Sequence, residues 1–137
     1  MTTEPRPVPH PTPESQPYWD GAAAGVLRLQ RCTACGTLRH YPQLICARCY
    51  SPGVEPFDAS GFGAVHSWTV AHHAFHPAFT GDVPYTLVTV DLAEGPRMLG
   101  RLDPAAQDRL RIGLKVRIRF VTGADGVALP VFSAHAA

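Results

Sequence analysis

Two Cys-x2-Cys pairs, Cys32/Cys35 and Cys46/Cys49, stand ten residues apart in this 137-residue chain. Two residues between cysteines let both thiolates of one tight turn reach the same ion. Two such knuckles facing one another complete a tetrahedron, the geometry structural zinc prefers. Four protein sulfurs leave no open position for water, so the sequence predicts a structural centre. Iron in the same sulfur tetrahedron is the nearest alternative, and a redox dithiol is a weaker one, because it needs only one pair. Disulfides are not expected, since paired knuckles without a secretory signal fit a reducing compartment, here the cytoplasm. Arg31, Arg39 and Arg48 flank the knuckles and are expected, with backbone N–H groups, to offset the net negative charge of a four-thiolate zinc site.

The rest of the chain divides around that centre. Residues 1–14 hold five of the six prolines found between Pro5 and Pro17. They are expected to form an extended, mobile tail of polyproline character. Residues 15–26 predict a short helix capped by Ser15 and stopped near Gly25, with Tyr18, Ala22 and Val26 on one apolar stripe. So short a helix must pack on something. Residues 27–50 form the ribbon, and SPGVEPFDASG opens the segment 51–137 as a linker rich in turn-forming residues.

From Phe62 the pattern is that of strands. AVHSWTVA and YTLVTVDL are rich in β-branched and aromatic residues. Glu94-Gly95-Pro96 turns the chain into RMLGRL, and Asp103-Pro104 starts one or two helical turns. In KVRIRFV, Val116, Ile118 and Phe120 alternate with Lys115, Arg117 and Arg119. Asp125-Gly126 then leads into VALPVFS, where Pro130 marks an edge or bulge. The fold class is mainly β, with a short N-terminal helix, a zinc ribbon and a five-stranded barrel of the OB type.

These segments resemble, in order, the domain-of-unknown-function-35 family. The likeness is carried by YWDG, LRLQRCTACG, the second knuckle, GFGAVHSWTV, PYTLVTVDLAEGPRMLGRL and IGLKVRIRF, over roughly residues 15–133. The resemblance implies a rubredoxin-like zinc ribbon followed by an OB-fold, with zinc ligands at Cys32, Cys35, Cys46 and Cys49. It also implies a non-catalytic accessory subunit. Its partner would be a thiolase-superfamily enzyme (a thiolase, acyltransferase or aldolase), or an enoyl-CoA hydratase-like subunit in a hetero-oligomer. That subunit would help hold a coenzyme A thioester.

Little else in the sequence bears chemistry. His72, His73 and His76 form an HHxxH cluster without a neighbouring carboxylate. With Phe75, Phe79 and Trp19 they are candidates for contact with a partner or an acyl-CoA rather than for catalysis. The basic residues of KVRIRFV suit a solvated strand face, with coenzyme A phosphates as the functional alternative. A single-stranded nucleic-acid-binding module is the rival function, because ribbons and OB-folds both occur there. A formal net charge of +1 argues against it. No apolar run is long enough to span a membrane as a helix.

Overall fold

The computed structural model describes residues 5–123 and 125–135; residues 1–4 of the expected N-terminal tail lie outside that range. Pro5–Glu14 has no regular secondary structure, as its prolines dictate. Arg6 nevertheless pairs with Asp82 at 2.6 Å and lies over the Phe79 ring at 5.0 Å. One helix follows, α1 (Gln16–Ala23). Ser15 occupies its N-cap position but makes no side-chain cap bond to it; the hydroxyl instead bonds Thr12, accepting from its N–H at 2.9 Å. Gly25 ends the turn at φ 79°, a conformation that favours glycine.

The ribbon sheet has the order β2 (Leu38–Arg39), β1 (Arg28–Cys32), β3 (Val54–Asp58), all antiparallel. β3 corrects the sequence reading, which took SPGVEPFDASG as a linker. Pro56, Glu55 and Asp58 hide the strand signal, because they are poor strand formers. They are tolerated since β3 pairs on one side only, with Arg28–Cys32 opposite Asp58–Val54.

The barrel closes in the order β4 (Phe62–Ala71), β5 (Tyr85–Leu92), β6 (Arg97–Leu102), β8 (Ala128–Ala134), β7 (Lys115–Thr122). That is the five-stranded OB arrangement. In β5, Thr86, Val88, Val90 and Leu92 are buried and their neighbours are half-buried. Val116 and Ile118 point inward from β7. Pro104–Arg109 forms the anticipated short helix, as a 3₁₀ turn. Its start is fixed by Asp103, which accepts from the Ala105 N–H at 3.0 Å and pairs with Arg119 at 3.0 Å.

One core serves both units. Tyr18 of α1 and Leu27 and Leu29 at the base of the ribbon pack with Val65, Val88, Met98, Val116 and Phe132 of the barrel. Phe132 is fully buried beside Gly100, and a Cβ at Gly100 would lie 2.6 Å from its ring. Among the described residues, no helix is long and apolar enough to cross a membrane.

Two outcomes follow from this packing. Gly100→Ala forces the Phe132 ring aside and lowers stability by about 1–3 kcal/mol, read from the urea midpoint. Asp103→Asn keeps a capping oxygen but loses the ion pair with Arg119, and costs about 0.2–1 kcal/mol at neutral pH. The Ala105 N–H and Arg119 hold the Asp103 carboxyl below its ordinary value. Its contribution is therefore complete above the unfolded carboxylate range and disappears as pH falls through the lower folded value. The wild-type and Asp103→Asn midpoints should converge in acid.

Candidate metal centre

Each knuckle is a short turn held by the same two kinds of bond. In the first, the Cys32 N–H donates to the Thr37 carbonyl at 2.9 Å, and the Gly36 N–H donates to the Cys32 carbonyl at 2.9 Å. In the second, the Cys46 N–H donates to the Ser51 carbonyl at 2.9 Å, and the Tyr50 N–H donates to the Cys46 carbonyl at 2.8 Å. Gly36 and Tyr50 hold the equivalent position, at φ 75° and 64°. The second knuckle thus places a bulky side chain where glycine is favoured. This near-repeat aims two thiols from each turn into one space.

All four sulfurs lie within 4.8 Å of one another. Cys32 and Cys49 are 3.5 Å apart and Cys35 and Cys46 are 3.7 Å apart. A zinc–sulfur bond of about 2.3 Å implies a tetrahedral edge of about 3.8 Å. A disulfide would need about 2.05 Å, and all four cysteines are free. The donor set therefore fits a four-coordinate ion. Among the described residues, no other group of His, Cys, Asp or Glu gathers as a metal site.

The thiols are also electronically poised for it. Hydrogen bonds from Thr37 draw the Cys35 thiol down to about 6. The backbone N–H groups of Cys49 and Arg48 lower Cys46. Cys49 has its own helping bond from Ser51, yet the adjacent Cys32 sulfur pushes it up to about 12. Sulfurs this close cannot all ionise without a cation between them, and a divalent ion removes that conflict.

Charge compensation differs from the sequence expectation. Arg31 pairs with Glu55 at 3.3 Å, and the Arg39 Nε donates to the Gln30 side chain at 2.7 Å. Arg48 contributes through its backbone, its N–H donating to the Cys46 Sγ at 3.4 Å. Main-chain donors and the Thr37 hydroxyl near Cys35 face the sulfurs, rather than the guanidinium groups.

Gln30 was not marked by any motif, yet it organises the ribbon. Its buried Oε1 accepts from Arg39 and from the Gln43 N–H at 2.9 Å, while its Nε2 donates to the Glu14 carbonyl at 3.3 Å. Tyr41 supplies a second unmarked tie, its hydroxyl accepting the Leu99 N–H of β6 at 2.9 Å. Between them lies His40, packed against the rings of Tyr18 and Tyr41. Burial lowers His40 to about 4 and raises Tyr18 to about 12, so both are neutral at pH 7. Neutrality suits an apolar joint between ribbon, helix and barrel.

The other marked residues are dispersed. His72 and His73 are exposed, and His73 packs edge-on to Phe75. His76 is half-buried, and its Nδ1 accepts the Ala78 N–H at 3.0 Å to start the 3₁₀ turn Pro77–Phe79. Phe79 holds Arg6, and Trp19 packs edge-on to Tyr18 at the margin of the core. Phe75 is 94% exposed. Cys32→Ser or Cys49→Ser should lose the metal and unfold the ribbon while much of the barrel survives. Metal content by mass spectrometry and residual β circular dichroism check this; a serine variant holding stoichiometric metal would contradict it.

Comparison with known proteins agrees with this construction. The ChsH2 rubredoxin-like zinc ribbon domain matches residues 19–55 and the ChsH2 C-terminal OB-fold domain matches residues 58–121. A probable enoyl-CoA hydratase alpha subunit of Thermomonospora curvata is 38% identical over 127 residues, which cover 93% of this chain. The chain spans only 39% of that protein's length. A DUF35 domain-containing scaffold protein of Methanocaldococcus jannaschii is 31% identical over 102 residues, with 71% of this chain and 72% of that protein covered. Among solved structures, the Ltp2-ChsH2(DUF35) aldolase superposes with a TM-score of 0.82 at 36% identity, over 93% of this chain and 98% of that one. With ribbon, barrel and cysteine tetrahedron matched in order, the chain belongs to the DUF35 family of zinc-ribbon and OB-fold proteins.

Proposed function

We propose that this chain is a non-catalytic accessory subunit that binds and organises a thiolase-superfamily enzyme, and that it helps hold the enzyme's acyl-CoA. The observation that carries this reading is the likeness to a chain of the Ltp2-ChsH2(DUF35) aldolase, which extends over 98% of that chain. The scaffold naming of the archaeal relatives supports it too. So does the chemistry of the site. Zinc in the four-thiolate centre has every position filled by protein sulfur, which leaves it a structural role. Among the described residues, His72, His73 and His76 face no carboxylate that could orient them as a base.

The partner class is an aldolase, thiolase or acyltransferase, and an enoyl-CoA hydratase-like subunit is the second form of the same role, favoured by the hydratase alpha-subunit relatives. The loop bearing His72, His73, Phe75, His76 and Phe79, together with Trp19, supplies the surface for partner or acyl-CoA contact. Phe75 is the most exposed large apolar side chain of that surface. Nucleic acid is not part of this reading, because a net charge of +1 gives little counterion release to drive binding.

Co-expression of the tagged chain with the thiolase-superfamily and hydratase subunits of its own organism tests the proposal. The expected outcome is a stable complex with one of them. That enzyme's turnover should fall at least tenfold without this chain and return when it is added back. An enzyme fully active alone, or one that never binds this chain, would sink it.

A further inference from the structure

Most free strand edges in this molecule carry a guard against pairing with another chain. The outer edge of β3 has Glu55, Pro56 and Asp58. β8 pairs with β6 only at Val131 and Phe132, and the stretch before that contains Pro130. Across that gap, β6 carries Arg97, and its Leu99 N–H is taken by Tyr41. β7 carries Arg119 beyond its contact with β4. Proline, charge and a capping hydroxyl are the ordinary ways to blunt an edge.

The far half of β4 has none of these. β4 meets β7 only through Phe62–Ala64, and Val65 exchanges two backbone bonds with Gly113 and Leu114. After the irregularity at His66 the strand continues as Ser67-Trp68-Thr69-Val70-Ala71, paired with Thr89–Tyr85 of β5 on one side. On its other side, no backbone or side-chain hydrogen bond reaches these residues among the described ones. The stretch contains no Pro, Lys, Arg, Asp or Glu. Trp68 and Val70 are 42% and 38% exposed although their cross-strand neighbours Val88 and Thr86 are buried.

A bare edge recognises one thing well, an extended backbone. We infer that Ser67–Ala71 of β4 is a self-association edge that pairs antiparallel with the same strand of a second copy. The stretch is uncharged and the whole chain carries only +1, so copies approach without repulsion. A twofold centred on Thr69 sets Thr69 against its own copy, Trp68 against Val70 and Ser67 against Ala71, all within the bare stretch. Aromatic and β-branched side chains then meet in the pairs that stabilise sheets best. The contact is isologous and closes at two copies. One strand pair buries less than a standard interface, so the dimer is weak and concentration-dependent. This inference stands apart from the accessory role, which neither requires nor forbids it.

Sedimentation equilibrium of the metal-loaded full chain, carried into the high micromolar range, tests it beside hydrogen exchange. The wild type should show a twofold rise in weight-average mass, with amides of residues 66–71 gaining protection as concentration rises. Trp68→Lys and Thr69→Lys should stay at monomer mass with unchanged circular dichroism, since both positions are exposed. A wild type that stays monomeric throughout overturns the inference. So does a dimer undiminished in both variants, or protection of residues 66–71 that appears only on adding a different protein.

Discussion

The tetrahedron of four sulfurs is the contact on which the ribbon depends, because the ribbon has almost nothing else to bury. Between Gln30 and Asp58 the buried residues are Gln30, Cys32 and Cys46. None is a large hydrophobe, so the usual source of stability, about 25 cal/mol per Å² of apolar surface, is nearly absent there. A structural zinc site of this kind contributes on the order of 10 kcal/mol. Gln30 adds specificity by bonding Arg39, Gln43 and Glu14 at once, which satisfies its own buried amide. Metal and amide together take the place of a core.

What the metal organises is then transmitted into the barrel. β1 enters the ribbon from Leu27 and Leu29, which belong to the barrel's own core with Tyr18 and Phe132. Tyr41 holds the opposite side of the ribbon to β6 through the Leu99 N–H. A ribbon fixed at two places on a packed barrel cannot swing freely, and His40, kept neutral by burial, seals the joint without placing a charge in it. The result is a single body with a filled interior. A body of that kind is suited to positioning another protein.

The legible part of the sequence was the part governed by local rules. Cysteine spacing named the ligands because two-residue turns and tetrahedral geometry leave few alternatives. Strict alternation in KVRIRFV located β7, since one face of that strand is buried and the other is not, and the β-branched and aromatic residues of YTLVTVDL located β5. β3 escaped because VEPFD lacks any such alternation; its pairing with β1 is set by the ribbon's tertiary arrangement. The same holds for Gln30, Tyr41 and the Arg6–Asp82 pair, which join residues 76 positions apart in the last case. Non-local contacts of that kind leave no periodic trace. The arginines beside the knuckles were a local inference that tertiary structure overrode, because Glu55 and Gln30 offered them better partners than sulfur.

A filled interior moves the question of function to the surface, where three sites besides the Phe75 loop expose apolar side chains. One site is a groove of about 1060 Å³ at the opening between β6 and β8, lined by Leu99, Val121 and Leu129 and crossed by Arg6 and Val8. A second is the knuckle side of the ribbon, where Leu44, Ile45 and Tyr50 are exposed near the four sulfurs. The third is the β4 edge with Trp68 and Val70. Monomeric proteins seldom keep several such patches without use. The strap over the first is held by Arg6, whose partner Asp82 is also bound by Arg101 at 3.1 Å. Both arginines, together with direct bonds, outweigh the desolvation that would otherwise raise the Asp82 carboxyl, and it stays ionised well below neutral pH. The groove is therefore bordered by a fixed charge cluster and floored by aliphatic side chains. Such a surface favours a partner that brings its own apolar face, as the proposed accessory role requires.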